Sequence, residues 1–87
     1  MKKFQPVKEN GITFLFKFDP DAPELLHIYV RHLTTIDNAL DVYFSTKPTW
    51  NQKMKRYENY SETHGIYWYW LNEKDKKVVI ITCFNLP

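Results

Sequence analysis

Two long apolar segments, joined by a short polar linker, constrain the fold of this chain more than any other feature. The segments IYWYWLN (66–72) and KKVVIITCF (76–84) are rich in β-branched and aromatic residues, which favour strands. The linker NEKDK (72–76) is polar and short. This arrangement predicts a β-hairpin. The continuous apolar run VVIITCF also indicates a central strand that is covered on both faces.

Two further segments have the pattern of strands. In ITFLFKF (12–18), Ile12 and the three phenylalanines share one face by period-two alternation. The segment DPDAP (19–23) ends this strand, because its prolines lack amide protons and Asp-Pro favours a turn. Residues 53–60, KMKRYENY, alternate weakly and suit a half-exposed strand.

Residues 35–45 have the spacing of a helix. Their apolar side chains recur at intervals of three and four residues. Thr34 or Thr35 is placed to cap the N-terminus of this helix, and Asp37 lies in its first turn, where a negative charge complements the helix dipole. The sequence therefore predicts one main helix.

The segment LLHIYVRHL (25–33) is ambiguous between a strand and a helix. Its β-branched and aromatic residues favour a strand, whereas the preceding Pro-Glu pair is an acceptable helix start. We predict a strand, in which His27 and Arg31 share one face and His32 takes the other.

These elements predict an α+β fold, in which one main helix packs on one face of an antiparallel β-sheet of four to five strands. The length of 87 residues corresponds to a single domain spanning residues 1–87. The aromatic content of 17% provides large side chains for a compact core.

Composition excludes several classes of protein and site. The one cysteine, Cys83, rules out an internal disulfide and a thiolate-rich zinc site. The absence of disulfides fits a cytoplasmic location, and it fits a toxin delivered from outside equally well. The apolar runs are far shorter than the roughly 20 residues of a membrane span, and the first residues lack the apolar region of a signal peptide. A net charge of +2 does not demand a nucleic-acid partner.

The polar residues suit acid–base chemistry that needs no metal or cofactor. With two glycines the chain cannot form a glycine-rich phosphate loop, and its histidines and carboxylates match no standard metal-ligand spacing. Cleavage of RNA by its own 2′-hydroxyl requires a base, an acid and a cation for the phosphorane charge. The candidate catalytic residues are His27, His32, Arg31, Arg56 and Glu58, and the candidate substrate-binding residues are Tyr57, Thr82, Trp68 and Trp70.

Each candidate also has a structural interpretation. The histidines are equally compatible with half-buried side chains that bond to backbone. Arg56 and Glu58, two residues apart, are compatible with a surface ion pair. Thr82 is compatible with an ordinary β-branched strand residue.

The block Tyr67-Trp68-Tyr69-Trp70 has two faces, and one of them must belong to the core. The other face is suited either to stacking nucleobases, at roughly 1–3 kcal/mol per base, or to binding a protein.

Three segments carry a further signal, namely FKFDP (16–20), RHLTTIDNA (31–39) and IITCF (80–84). Together they resemble the BrnT-like toxins, which belong to the wider RelE–barnase–colicin-type (BECR) group of metal-independent ribonucleases. The resemblance implies a compact antiparallel sheet with helices, RNA cleavage, and a neutralising antitoxin or immunity protein as partner. It assigns the motif positions to Arg31, His32, Thr35, Asp37 and Ala39.

The first hypothesis is therefore a small cytoplasmic endoribonuclease of the toxin type, which needs no metal, acts on RNA and does not span a membrane. The alternative is a non-enzymatic protein-binding module, such as a phage or mobile-element inhibitor that uses an exposed aromatic sheet face. A single-strand nucleic-acid binder is a third possibility. Convergence of the candidate residues on one face favours catalysis, and scatter favours binding.

Overall fold

The computed structural model describes residues 3–87, which form a six-stranded sheet with two helices packed on one of its faces. The elements in chain order are β1 (Phe4–Glu9), β2 (Ile12–Lys17), α1 (His27–His32), α2 (Ile36–Ser45), β3 (Thr49–Asn51), β4 (Arg56–Tyr60), β5 (His64–Asn72) and β6 (Lys77–Asn85). The α+β class is confirmed.

The predicted hairpin is confirmed as β5 and β6, which pair antiparallel at the centre of the sheet. Neighbouring residues Val78 and Val79 are both fully buried, so both faces of β6 are covered at this position, whereas Ile81 and Thr82 further along the strand are only partly buried. A bulge in β6 shifts the register between Tyr67 and Trp68. The bulge lets Ile80 and Cys83, an odd number of residues apart, both join the core under the helices.

The sheet differs from the prediction in size and in the direction of one strand pair. Its order is β1-β2-β6-β5-β4-β3, and β2 runs parallel to β6. The prediction of an entirely antiparallel sheet of four to five strands is therefore wrong. The edge strand β1 contains Pro6, a residue that edge strands tolerate, and β3 has only three residues. Neither has a strong apolar alternation.

The segment predicted as a strand around His27 is instead the short helix α1, so the predicted alternation of its side chains is wrong. Ile28 is buried in the core. The amide of the buried Thr34 donates to the Ile28 carbonyl. Its hydroxyl proton is shared between two acceptors, the Cys83 carbonyl at 2.9 Å and the Ile28 carbonyl at 3.1 Å. These tertiary contacts override the strand preference of the local sequence.

The main helix is confirmed as α2. Thr35 caps its N-terminus and forms a reciprocal pair of hydrogen bonds with Asn38. Ala39 and Val42 pack into the core. The predicted strand 53–60 is confirmed only in its second half, where β4 begins at Arg56.

The sheet has a helix-covered face and an opposite face, which we call the open face. Strand alternation places Trp68 and Ile66 under the helices, whereas Tyr67 and Thr82 lie opposite each other on the open face. Neither helix in residues 3–87 has the length and apolar character that crossing a membrane requires.

Candidate active site

Helix α1 lies beside the C-terminal half of β6. Strand β2 pairs with β6 only as far as Ile80, and α1 takes up the neighbouring position beyond that point. The Thr34 hydroxyl binds the Cys83 carbonyl there, and the Asn85 side-chain amide donates to the His32 carbonyl at 3.0 Å. The fold therefore brings the histidines of α1 next to the last residues of β6.

The rings of His27 and His32 contact each other edge to face, with centroids 5.7 Å apart. The ring of His32 also lies 6.3 Å from that of Phe84. Burial lowers the pKa of His27, and the neighbouring His32 lowers it further. The side chain of His27 remains 31% exposed. A neutral, accessible imidazole at neutral pH is the form that a general base requires.

A buried carboxylate holds the other side of α1. Asp19 accepts hydrogen bonds from Arg31 Nε at 2.9 Å and from the Asp21 amide at 3.0 Å, and its Oδ1 lies 3.9 Å from His27 Nδ1. Burial alone would raise the pKa of Asp19, but these hydrogen bonds and the charge of Arg31 outweigh it and lower the pKa. Arg31 also donates to Asp21 at 2.7 Å. Arg31 is thus hydrogen-bonded to two carboxylates, and these contacts hold the loop before α1 in place.

A second polar cluster lies on the open face and is centred on Glu58. Its carboxylate accepts from Arg56 Nε at 2.9 Å, from the Tyr60 hydroxyl at 2.7 Å and from the Asn51 amide at 2.8 Å. The Tyr60 and Asn51 hydrogen bonds lower the pKa of Glu58, so it is an ionised acceptor. The Arg56 guanidinium lies over the Tyr67 ring, 3.6 Å from its centre.

Phe84 lies between the histidine pair of α1 and the polar cluster around Glu58. Its ring is 4.9 Å from that of Tyr67 and 6.3 Å from that of His32. Gly65 permits this position, because a Cβ there would lie 2.7 Å from the Phe84 ring. We call the continuous set His27, His32, Phe84, Tyr67 and Arg56 the histidine–aromatic band.

Thr82 borders the histidine–aromatic band, opposite Tyr67 in the strand register. Its hydroxyl is buried, and it has no hydrogen-bond partner among residues 3–87. Buried hydroxyls are usually hydrogen-bonded, and leaving one unpaired costs about 1–3 kcal/mol. The hydroxyl is therefore an unpaired polar group beneath the surface of the band, and a rotation of the Thr82 side chain would be needed to present it to a ligand.

The remaining candidates lie on the helix-covered face. Trp68 is 3% exposed, and its Nε1 donates to Asn59 at 2.8 Å. Tyr57 stacks on Trp68 at 4.6 Å, and Trp70 packs at 5.5 Å from it. These three residues pack in or against the core and line a cavity of about 280 Å³ beside it. They therefore lie on the opposite face from the histidine–aromatic band.

Sequence reasoning missed Asp19 and Phe84. The sequence patterns place Asp19 in a turn and in the FKFDP segment but give it no role at the site. An Asp-Pro pair that precedes a histidine-rich segment is compatible with a buried carboxylate that orients that segment. In residues 3–87, no three His, Cys, Asp or Glu side chains lie close enough to hold a metal ion.

Comparison with protein-family models, with curated protein sequences and with solved structures gave no significant match for this chain.

Proposed function

We propose that this protein is a metal-independent endoribonuclease of the toxin type. The observation that carries the proposal is the edge-to-face contact of His27 and His32 beside Phe84, at 5.7 Å. Two imidazoles at this separation can serve the two proton transfers of one phosphoryl-transfer reaction.

His27 acts as the general base, because its lowered pKa keeps it neutral. It takes the proton of a ribose 2′-hydroxyl while the 2′-oxygen attacks the adjacent phosphorus. His32 in its protonated form gives a proton to the leaving 5′-oxygen. The P–O5′ bond breaks as the P–O2′ bond forms, so the products are a 2′,3′-cyclic phosphate and a 5′-hydroxyl.

The negative charge that develops on the phosphoryl oxygens requires a hydrogen-bond donor. The donors assigned to this role are the Arg56 guanidinium, which lies over the Tyr67 ring, and the buried Thr82 hydroxyl once its side chain has rotated outward. Thr82 has no competing partner in the described part of the chain. Arg56 keeps part of its donor capacity, because its contact with Glu58 uses Nε.

The test is incubation of the purified protein with RNA and with the matching DNA in the presence of EDTA. The proposal expects RNA cleavage with 2′,3′-cyclic phosphate ends, and no cleavage of DNA because it lacks the attacking hydroxyl. Intact RNA, or cleavage that EDTA abolishes, would overturn the proposal.

A protein-binding module is the second candidate. Around α1 the side chains of Leu25, Tyr29 and Leu33 are 42%, 52% and 75% exposed, and they follow one another at four-residue intervals. The same surface suits a neutralising antitoxin or immunity protein. Recovery of a stoichiometric protein partner, together with unaltered function of the His27→Gln and His32→Gln variants, would favour binding over catalysis.

A further inference from the structure

A cavity of about 590 Å³ lies between the loop after β2 and the beginning of β1. Its volume lies within the range of roughly 300–1,000 Å³ that is typical of small-ligand sites. Asp19 lines this cavity and also lies 3.9 Å from His27 Nδ1. The cavity and the proposed base are therefore neighbours.

Positive charge and aromatic rings line the same cavity. Lys3 and Lys17 both contribute to the lining, and neither forms an ion pair with any residue that the structure describes. Phe4 and Tyr69 add ring surface. The carboxylate of Asp19 is already bound by Arg31, which offsets its charge.

Unpaired lysines beside aromatic rings are the features that bind a nucleotide. Ammonium groups bind phosphate oxygens, and rings stack on any nucleobase. Tyr69 and Tyr67 alternate with the buried Trp68, so both lie on the open face. An RNA strand along the histidine–aromatic band can therefore continue from Tyr67 toward Tyr69.

We propose that this cavity binds one nucleotide of the RNA, next to the one that is cleaved. Its base packs against Tyr69, and its phosphate contacts Lys3 and Lys17. The position relative to the cleaved bond rests on the proposed ribonuclease function, whereas nucleotide binding itself does not require cleavage.

The experiment is titration of the full chain with uridine 3′-monophosphate and, separately, with inorganic phosphate, followed by amide chemical shifts in NMR. We expect the nucleotide to shift the amides of Lys17, Phe18 and Tyr69, and to bind more tightly than phosphate alone. Tyr69→Leu, which keeps apolar bulk, weakens nucleotide binding by roughly an order of magnitude. Lys17→Gln weakens both ligands and reduces the salt dependence.

Matched controls are Trp50→Leu in the edge strand β3, where the side chain is exposed, and Lys74→Gln in the β5–β6 turn, which leave binding unchanged. Shifts that map elsewhere, or equal binding by Tyr69→Leu and the parent chain, would overturn the inference. The spectrum of each free variant shows whether it is folded. If the protein cleaves RNA but binds no nucleotide in the cavity, only this inference is contradicted. If it binds the nucleotide but does not cleave RNA, only the ribonuclease proposal is contradicted.

Discussion

The imidazole rings of His27 and His32 lie 5.7 Å apart at an interplanar angle of 75°, at the two ends of one six-residue helix. His27 is additionally near the buried carboxylate of Asp19, and His32 contacts Phe84 of the central strand. The two rings thus have different environments, which is the condition for one to act as base and the other as acid.

The titration of His27 reports these environments directly. Burial and His32 lower its pKa, and Asp19 acts in the opposite direction. We expect the His27 pKa to lie below the ordinary value of about 6.5. It should rise in His32→Gln and fall in Asp19→Asn, as followed by the ring protons in NMR. An unchanged His27 pKa in both variants would show that the three groups are not coupled.

The Thr82 hydroxyl is expected to reduce stability and to aid function. Thr82→Val removes an unpaired buried hydroxyl, so the free energy of unfolding should stay constant or rise by about 1 kcal/mol in urea denaturation. RNA cleavage by the same variant should fall. Thr82→Ser keeps the hydroxyl and serves as the control for cleavage. Full activity in Thr82→Val would exclude a role in phosphate binding.

Asp19 should stabilise the fold in a pH-dependent way. Its pKa is lowered in the folded chain, so its contribution is present above the unfolded value of about 3.9 and disappears as the pH falls through the folded value. Asp19→Asn should therefore have a lower melting temperature than the parent chain at pH 7. The difference between the two melting temperatures should be smaller at pH 3. Asp21→Asn is the control, because the Asp21 side chain is 81% exposed. Equal losses in the two variants at pH 7 would contradict the account.

Gly65 is expected to be required for the position of Phe84. Gly65→Ala places a methyl group 2.7 Å from the Phe84 ring, which should cost about 1–3 kcal/mol of unfolding free energy. Phe84→Leu should tolerate the added methyl better, so the double variant loses less than the sum of the single changes. Strict additivity in denaturant unfolding would mean that the two residues do not share this contact.

Local patterns were sufficient to predict the central hairpin and α2, because apolar periodicity and a threonine cap determine them. The parallel pairing of β2 with β6 depends on packing across most of the chain, which no local window contains. Asn10-Gly11, both with positive φ, forms the tight turn that pairs β1 with β2.

The candidate site was predicted in part for the same reason. The residue types were identifiable, but the helical conformation of α1 decides which side of the sheet edge they reach. Successive ring contacts through Phe84 and Tyr67 link the histidine pair to Arg56. Trp68 and Tyr57, in contrast, pack in the core. The alternation of side chains assigns the residues of β5 to two faces, but it does not show which of the two faces the helices cover.

The rate of RNA cleavage in histidine variants tests the central proposal most directly. His64 offers a matched control, because it lies at the start of β5, where its Nδ1 is 2.8 Å from the Thr63 hydroxyl, outside the histidine–aromatic band. With EDTA present, we predict that His27→Gln and His32→Gln each lower the single-turnover rate by about 10²–10⁴-fold, whereas His64→Gln cleaves like the parent. Equal rates in all three folded variants would contradict the assignment of the site.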